Sequence, residues 1–98
     1  MHQKTYYTYI LTNKKNGTLY IGVTNNITKR IWQHKQNPIK SSFSTKYNTK
    51  ILVYYEMHST IENAILREKK LKKWYRNWKI ALIEKNNPHW LDLSNEII

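Results

Sequence analysis

A single α+β domain is the fold that this sequence predicts, and three observations carry the prediction. The length of 98 residues suits one compact domain. Short β-branched and aromatic runs are followed by segments whose apolar residues recur at helical spacing. No internal repeat, low-complexity tract or linker divides the chain. Residues 1–98 are therefore read as one unit, with a core over about residues 4–85 and a tail over residues 86–98.

The elements follow in order. Tyr6–Thr12 is β-branched and aromatic, residues 13–17 are turn-forming, and residues 18–24 resume strand character, which together predict a β-hairpin. A loop over residues 13–16 would set Tyr9 directly opposite Tyr20, on one face of the sheet. Asn25 or Asn26 can cap a helix over residues 27–36, which Asn37-Pro38 would end. A polar loop over residues 39–50 leads to a third strand over residues 51–56. Ser59 with Glu62 reads as a capping box, and Ile61, Ala64, Ile65 and Leu71 as the buried stripe of the helix that follows. A last helix is expected over residues 74–85.

Charge narrows the partners. Seventeen Lys and Arg oppose six Asp and Glu, a formal net charge of +11, and the natural complement is a polyanion. No apolar run reaches the roughly 18 residues that a membrane span needs, and residues 1–10 do not form a signal-peptide pattern. Nucleic acid rather than membrane is therefore the expected partner, and the cytoplasm the expected compartment. The absence of cysteine excludes a disulfide framework and a Cys-based zinc site. His2, His58 and His89 lack metal-ligand spacing. Four Trp and eight Tyr supply bulk to a thin core, where each tryptophan is read as structural.

Three polar residues fall where a core would put apolar ones. At about 100° per residue, Arg30 and His34 share roughly a third of their helix with Ile27 and Ile31. Glu68 falls between the directions of Ala64 and Ile65. A charge leaving water must find partners or lose its ionisation. One reading is a structural Arg30–Glu68 ion pair with His34 hydrogen-bonded beside it, inside a basic nucleic-acid-binding module with no turnover. The other is a site shared with Tyr9 and Tyr20 and suited to phosphodiester hydrolysis. There Glu68 would hold a hard divalent cation such as Mg²⁺, and Arg30 would present a forked charge to phosphate oxygens. Lys69, Lys70, Lys72 and Lys73 form a basic cluster beside Glu68 that suits either a solvated face or phosphate contacts, with Lys40, Lys46 and Lys50 extending the field.

Tyr7-Thr8-Tyr9, Leu19-Tyr20-Ile21-Gly22, Lys29-Arg30 with His34, residues 67–74 around Glu68, and residues 87–93 stand in an order and spacing that resemble the GIY-YIG nuclease superfamily, in particular its small single-domain members. The resemblance covers nearly the whole chain. It implies a small three-stranded antiparallel sheet flanked by helices, and an endonuclease that cuts nucleic acid, DNA above all, with one Mg²⁺ or Mn²⁺ per site. By matching position, Tyr9 and Tyr20 would be the motif tyrosines, Arg30 the phosphate-binding cation, His34 its companion, Glu68 the metal ligand and Asn87 a family asparagine near the site. Tyr9 is expected as the base and Tyr20 as its hydrogen-bonding partner. The first motif departs from the pattern, with Tyr7-Thr8 in place of Gly-Ile. Gly22 is retained, and its missing side chain would let substrate backbone approach.

Overall fold

A computed structural model describes residues 4–36 and 49–97. Three antiparallel strands, β1 (Tyr6–Thr12), β2 (Leu19–Thr24) and β3 (Ile51–His58), form one sheet in the order β2-β1-β3. Helix α1 (Ile27–Gln36) follows the hairpin, and α2 (Ile61–Lys73), α3 (Arg76–Asn86) and the short α4 (Ser94–Ile97) follow β3. This is the α+β class that the sequence predicts. The helix end at Asn37-Pro38 and the polar loop up to residue 48, with Lys40 and Lys46, lie outside the described residues.

Strand alternation divides the core between the two faces of the sheet. Tyr9 and Leu11 pack with Ile27, Ile31 and Leu52 in a cluster that includes α1. Ile10 packs on the other face with Ile21, Val53, Leu71, Ile83 and Trp90, which brings in α2 and α3. A bulge opposite Ile10 and Leu11 pairs them with Tyr54 and Leu52, so that Val53 and Tyr54 both join the second cluster. Thr8, buried on that face, donates from Oγ1 to the Ala64 carbonyl at 2.9 Å and pins α2 to β1.

The hairpin differs from its predicted form. Its connection runs over residues 13–18, and Tyr9 faces Gly22 while Leu11 faces Tyr20. The side chain of Asn13 organises the longer loop by accepting from the Thr18 amide at 3.0 Å. Gly17 lies so close to Asn13 Oδ1 that a Cβ there would approach it to 2.0 Å. Because the displacement is two residues, the side-chain period of two keeps Tyr9 and Tyr20 on the same face.

Two helix starts refine the predicted ones. Asn26 caps α1, its Oδ1 accepting from the Lys29 amide at 3.0 Å, after Thr24 Oγ1 has accepted from the Asn26 amide. The cap of α2 is Thr60, which accepts from the Asn63 amide at 3.2 Å, so the Ser59–Glu62 capping box does not form. The predicted stripe is also narrower: Ala64 and Leu71 are buried, whereas Ile61 and Ile65 stay exposed. The chain leaves α2 at Trp74, its C-cap, and α3 starts two residues later than expected. Trp90 is buried, but Trp32 remains 60% exposed and Trp78 51% exposed, so the two are surface residues rather than core.

The segment expected to be a tail straps the sheet. Asp92 accepts from Lys35 Nζ at 2.7 Å and from the Leu52 and Ser94 amides. Burial alone would raise its carboxyl, but the hydrogen bonds with Lys35 and Ser94 hold it below the usual value. Asn87 is buried, donates from Nδ2 to the carbonyls of Val53 and Leu91, and accepts at Oδ1 from the Leu91 amide. The resemblance would put Asn87 near the site as a nucleic-acid-binding residue; here its polar atoms are engaged by the chain itself. Asn87→Ala is therefore expected to lower stability by about 2–3 kcal/mol, because it leaves buried groups unpaired. The measurement is a thermal melt, with a fall in Tm of roughly 10 °C or more at this size. An unaltered Tm would reject the strap.

Candidate active site

Each element delivers its residue for a local reason. β1 places Tyr9 on the face turned to α1, and the register puts its ring over Gly22 of the neighbouring strand. A Cβ at Gly22 would lie 2.6 Å from Tyr9 Oη and 2.7 Å from Cζ. The space above this glycine is thus taken by the protein's own phenol, which corrects the expectation that it is kept free for substrate backbone. The cap at Asn26 sets the phase of α1, burying Ile27, Ile31 and His34 and leaving Arg30 half-buried beside them. In α2, Glu68 lies four residues after Ala64 and three before Leu71, on the helix face turned to the sheet, and is half-buried.

Three rings meet in one cluster. The centroids of Tyr9 and Tyr20 are 6.3 Å apart, those of Tyr9 and His34 6.2 Å, and those of Tyr20 and His34 5.3 Å. Tyr9 Oη and His34 Nε2 stand at 3.5 Å, the outer limit of a hydrogen bond. Tyr9 is 1% exposed, and burial pushes its phenol well above the usual range, reinforced by Tyr20 and opposed by the positive charge of Arg30. Glu68 acts on the same phenol from the acidic side. Burial, aided by Arg30, brings His34 down to about 4, so the imidazole is neutral at physiological pH.

The structure brings Tyr9, Tyr20 and His34 into contact, with Arg30 one helical turn before His34 on α1 and Glu68 on α2. It does not join Arg30 to Glu68: among the described residues the ion pair of Glu68 is with Lys72, at 3.5 Å. The purely structural Arg30–Glu68 pair of the alternative reading is absent. The deep burial of Tyr9 also works against its expected role as the base. Tyr20, only half-buried, lines an open pocket with Leu19, Ile21, Lys72 and Lys79. Lys72 thus reaches the site, while Lys69, Lys70 and Lys73 stand exposed along α2. Lys50 is half-buried, its carbonyl accepting from Lys35 Nζ at 3.1 Å. Lys79 went unremarked in the sequence because nothing in its own helix signals proximity to β2. A second pocket, lined by Thr24, Asn25, Asn26, Lys29, Arg30 and Gln33, opens beside the guanidinium.

Glu68 is a hard oxygen donor, half-buried on α2 and ion-paired with Lys72. Among the described residues no group of three His, Cys, Asp or Glu could cage a metal ion. A single carboxylate nonetheless fits Mg²⁺, which keeps several waters and takes one or two protein carboxylates. No helix among the described residues is long and apolar enough to cross a membrane.

A sheet of this order, with paired tyrosines under an arginine helix and a glutamate on a second helix, defines a class. The family model for the GIY-YIG catalytic domain matches residues 5–81, and the chain belongs to that family. GIY-YIG nucleases act on nucleic acid and generally use divalent metal ions. More narrowly, the chain is similar to bacterial UPF0213 proteins. It is 39% identical to UPF0213 protein SH2523 of Staphylococcus haemolyticus over 81% of this chain and 94% of the relative. It is 34% identical to a UPF0213 protein of Syntrophus aciditrophicus over 82% and 91% respectively. The solution NMR structure of UPF0213 protein BH0048 from Bacillus halodurans superposes with a TM-score of 0.53 at 25% identity, covering 85% of this chain and 86% of that one.

Proposed function

We propose that this protein is a divalent-metal-dependent endonuclease that hydrolyses phosphodiester bonds in DNA, with Tyr20, Arg30, His34 and Glu68 as working residues and Tyr9 as their buried support. The observation that carries this reading is a ring cluster on the face turned to α1: Tyr9 contacts Tyr20 and His34, and Arg30 stands one helical turn before His34 on α1. Three polar rings meeting beside a helix that also carries an arginine support a site more than scattered surface charge would.

Arg30 is suited to hold two oxygens of the scissile phosphate and to offset the charge that builds on them. Tyr20, at the open pocket, is the phenol placed to meet the attacking water. As the water oxygen bonds to phosphorus, its proton passes to the Tyr20 oxygen, and the phenol's own proton leaves to solvent through the open pocket, while the neutral ring of His34 packs against Tyr20 and orients it. The bond to the leaving oxygen breaks with the electron pair on that oxygen, which takes a proton from solvent. Glu68 would hold the divalent cation, whose chemistry here is Lewis-acid stabilisation of phosphate and leaving-group charge. Tyr9 fixes the orientation of Tyr20 and His34 from below.

The test is conversion of supercoiled plasmid to nicked circles by purified protein with Mg²⁺ or Mn²⁺, beside an EDTA control. Wild type is expected to nick only with metal, and Glu68→Ala and Tyr20→Phe to lose nicking. Cleavage that persists unchanged in Glu68→Ala would reject the site. The same assay on a structured RNA separates the DNA reading from an RNA-processing one.

A further inference from the structure

Residues 69–79 hold five lysines, one arginine and three aromatic residues, and no acidic one. The fold turns part of this segment into a surface beside the site. Tyr75 is the N-cap of α3, and Trp78 and Lys79 follow at the third and fourth positions, so the three share one helix face. Tyr75 is 69% exposed and Trp78 51% exposed, with their rings edge-to-face at 4.9 Å. Trp74, half-buried beneath Arg67, holds Trp78 from behind at 6.1 Å. An apolar groove along Trp74, Trp78, Ala81 and Leu82 ends at Lys85.

Lys79, the next residue of α3 after Trp78, links this face to the site. Lys79 lines the same pocket as Tyr20 and Lys72, and its Nζ donates to the Lys72 carbonyl at 3.4 Å. Burial and the neighbouring Arg76 depress the Lys79 ammonium, a tension that an anion in the pocket would relieve. Arg76 is committed elsewhere, donating to the carbonyls of Asn16 and Gly17 in the hairpin, and so fixes the start of α3 against β2. The path from Tyr20 through two ammonium groups to two exposed rings has the composition of a strand track: cations for backbone phosphate and π-faces for bases. A protein partner fits less well, because residues 69–79, which supply the rings, carry six basic residues and no acidic one.

We propose that Lys72, Lys79, Tyr75 and Trp78 form a subsite for one nucleotide flanking the scissile phosphate, its phosphate between the lysines and its base, unpaired, stacked on Trp78. The inference rests on the nuclease reading above and adds a demand on the substrate. A base inside a duplex already has both faces stacked, so the subsite selects nucleic acid with an unpaired segment beside the cut.

Binding without cleavage isolates the subsite. The full chain, in EDTA, is titrated into a fluorescein-labelled oligothymidylate and into a labelled blunt duplex, with affinity read by anisotropy and folding by circular dichroism. Trp78→Ala is expected to raise the Kd for oligothymidylate about tenfold while the duplex Kd stays within about twofold. Trp78→Phe, which keeps a stacking ring, should recover most of the loss. Parallel weakening on both probes, or no change on either, overturns the subsite. If wild type nicks plasmid while Trp78→Ala binds oligothymidylate as wild type does, the subsite alone falls. If wild type binds neither probe and nicks nothing, it falls together with the nuclease reading.

Discussion

Arg30→Lys is expected to slow plasmid nicking by about a hundredfold or more, while the melting temperature stays close to that of wild type. The substitution conserves the positive charge beside Tyr9 and His34 and removes no buried apolar group, so the fold is little disturbed. What lysine cannot reproduce is the planar fork that engages two phosphate oxygens together. Arg30 is half-buried on α1, with a polar pocket open beside it, so a shorter-reaching ammonium would sit among Lys29, Asn26 and Gln33 rather than at the phosphate. Single-turnover nicking rates beside a thermal melt make the comparison. A rate equal to that of wild type would show that positive charge alone suffices and would remove the bidentate grip from the mechanism.

Gly22→Val should damage both stability and activity, and activity more. The Cβ alone would enter the space of the Tyr9 ring, and the two further methyl groups would fill it. Tyr9 cannot move away cheaply: it is 1% exposed and packed with Leu11, Ile27, Ile31 and Leu52. Overpacking of this kind costs about 1–3 kcal/mol. The displaced phenol would carry Tyr20 and His34 with it, and a misplacement of about 1 Å can cost a hundredfold in rate. Urea unfolding and nicking rates on the same preparation separate the two losses. Full activity in Gly22→Val would mean that Tyr9 does not set the geometry of the other two rings.

Much of this architecture was legible in the residues because its signals are local. The hairpin, α1, the third strand and the two later helices each follow from period, cap or turn chemistry within a few positions. The inward phase of Arg30 and His34 followed from Ile27 and Ile31, and that of Glu68 from Ala64 and Ile65, although Ile65 itself stays exposed, since helical geometry fixes angles without reference to the rest of the chain. Where a local signal was duplicated, the reading slipped. Ser59 and Thr60 both suit a cap, and the bond to Asn63 selects the second. Residues 13–18 hold several turn formers, and the side chain of Asn13 decides how many of them leave the strands.

The sequence by itself determined the order of the elements, the strongly basic character, and a set of tyrosine, arginine, histidine and glutamate spaced as one family spaces them. Only the tertiary structure decided what each of them meets. It buried Tyr9 and left Tyr20 at an open pocket, paired Glu68 with Lys72 instead of Arg30, spent Asn87 on the strap, and brought Lys79 of a distant helix to β2. The physical reason is range. Propensity and periodicity act through neighbours along the chain, whereas burial, desolvation and ion pairing depend on groups that become neighbours only after the sheet and helices have packed.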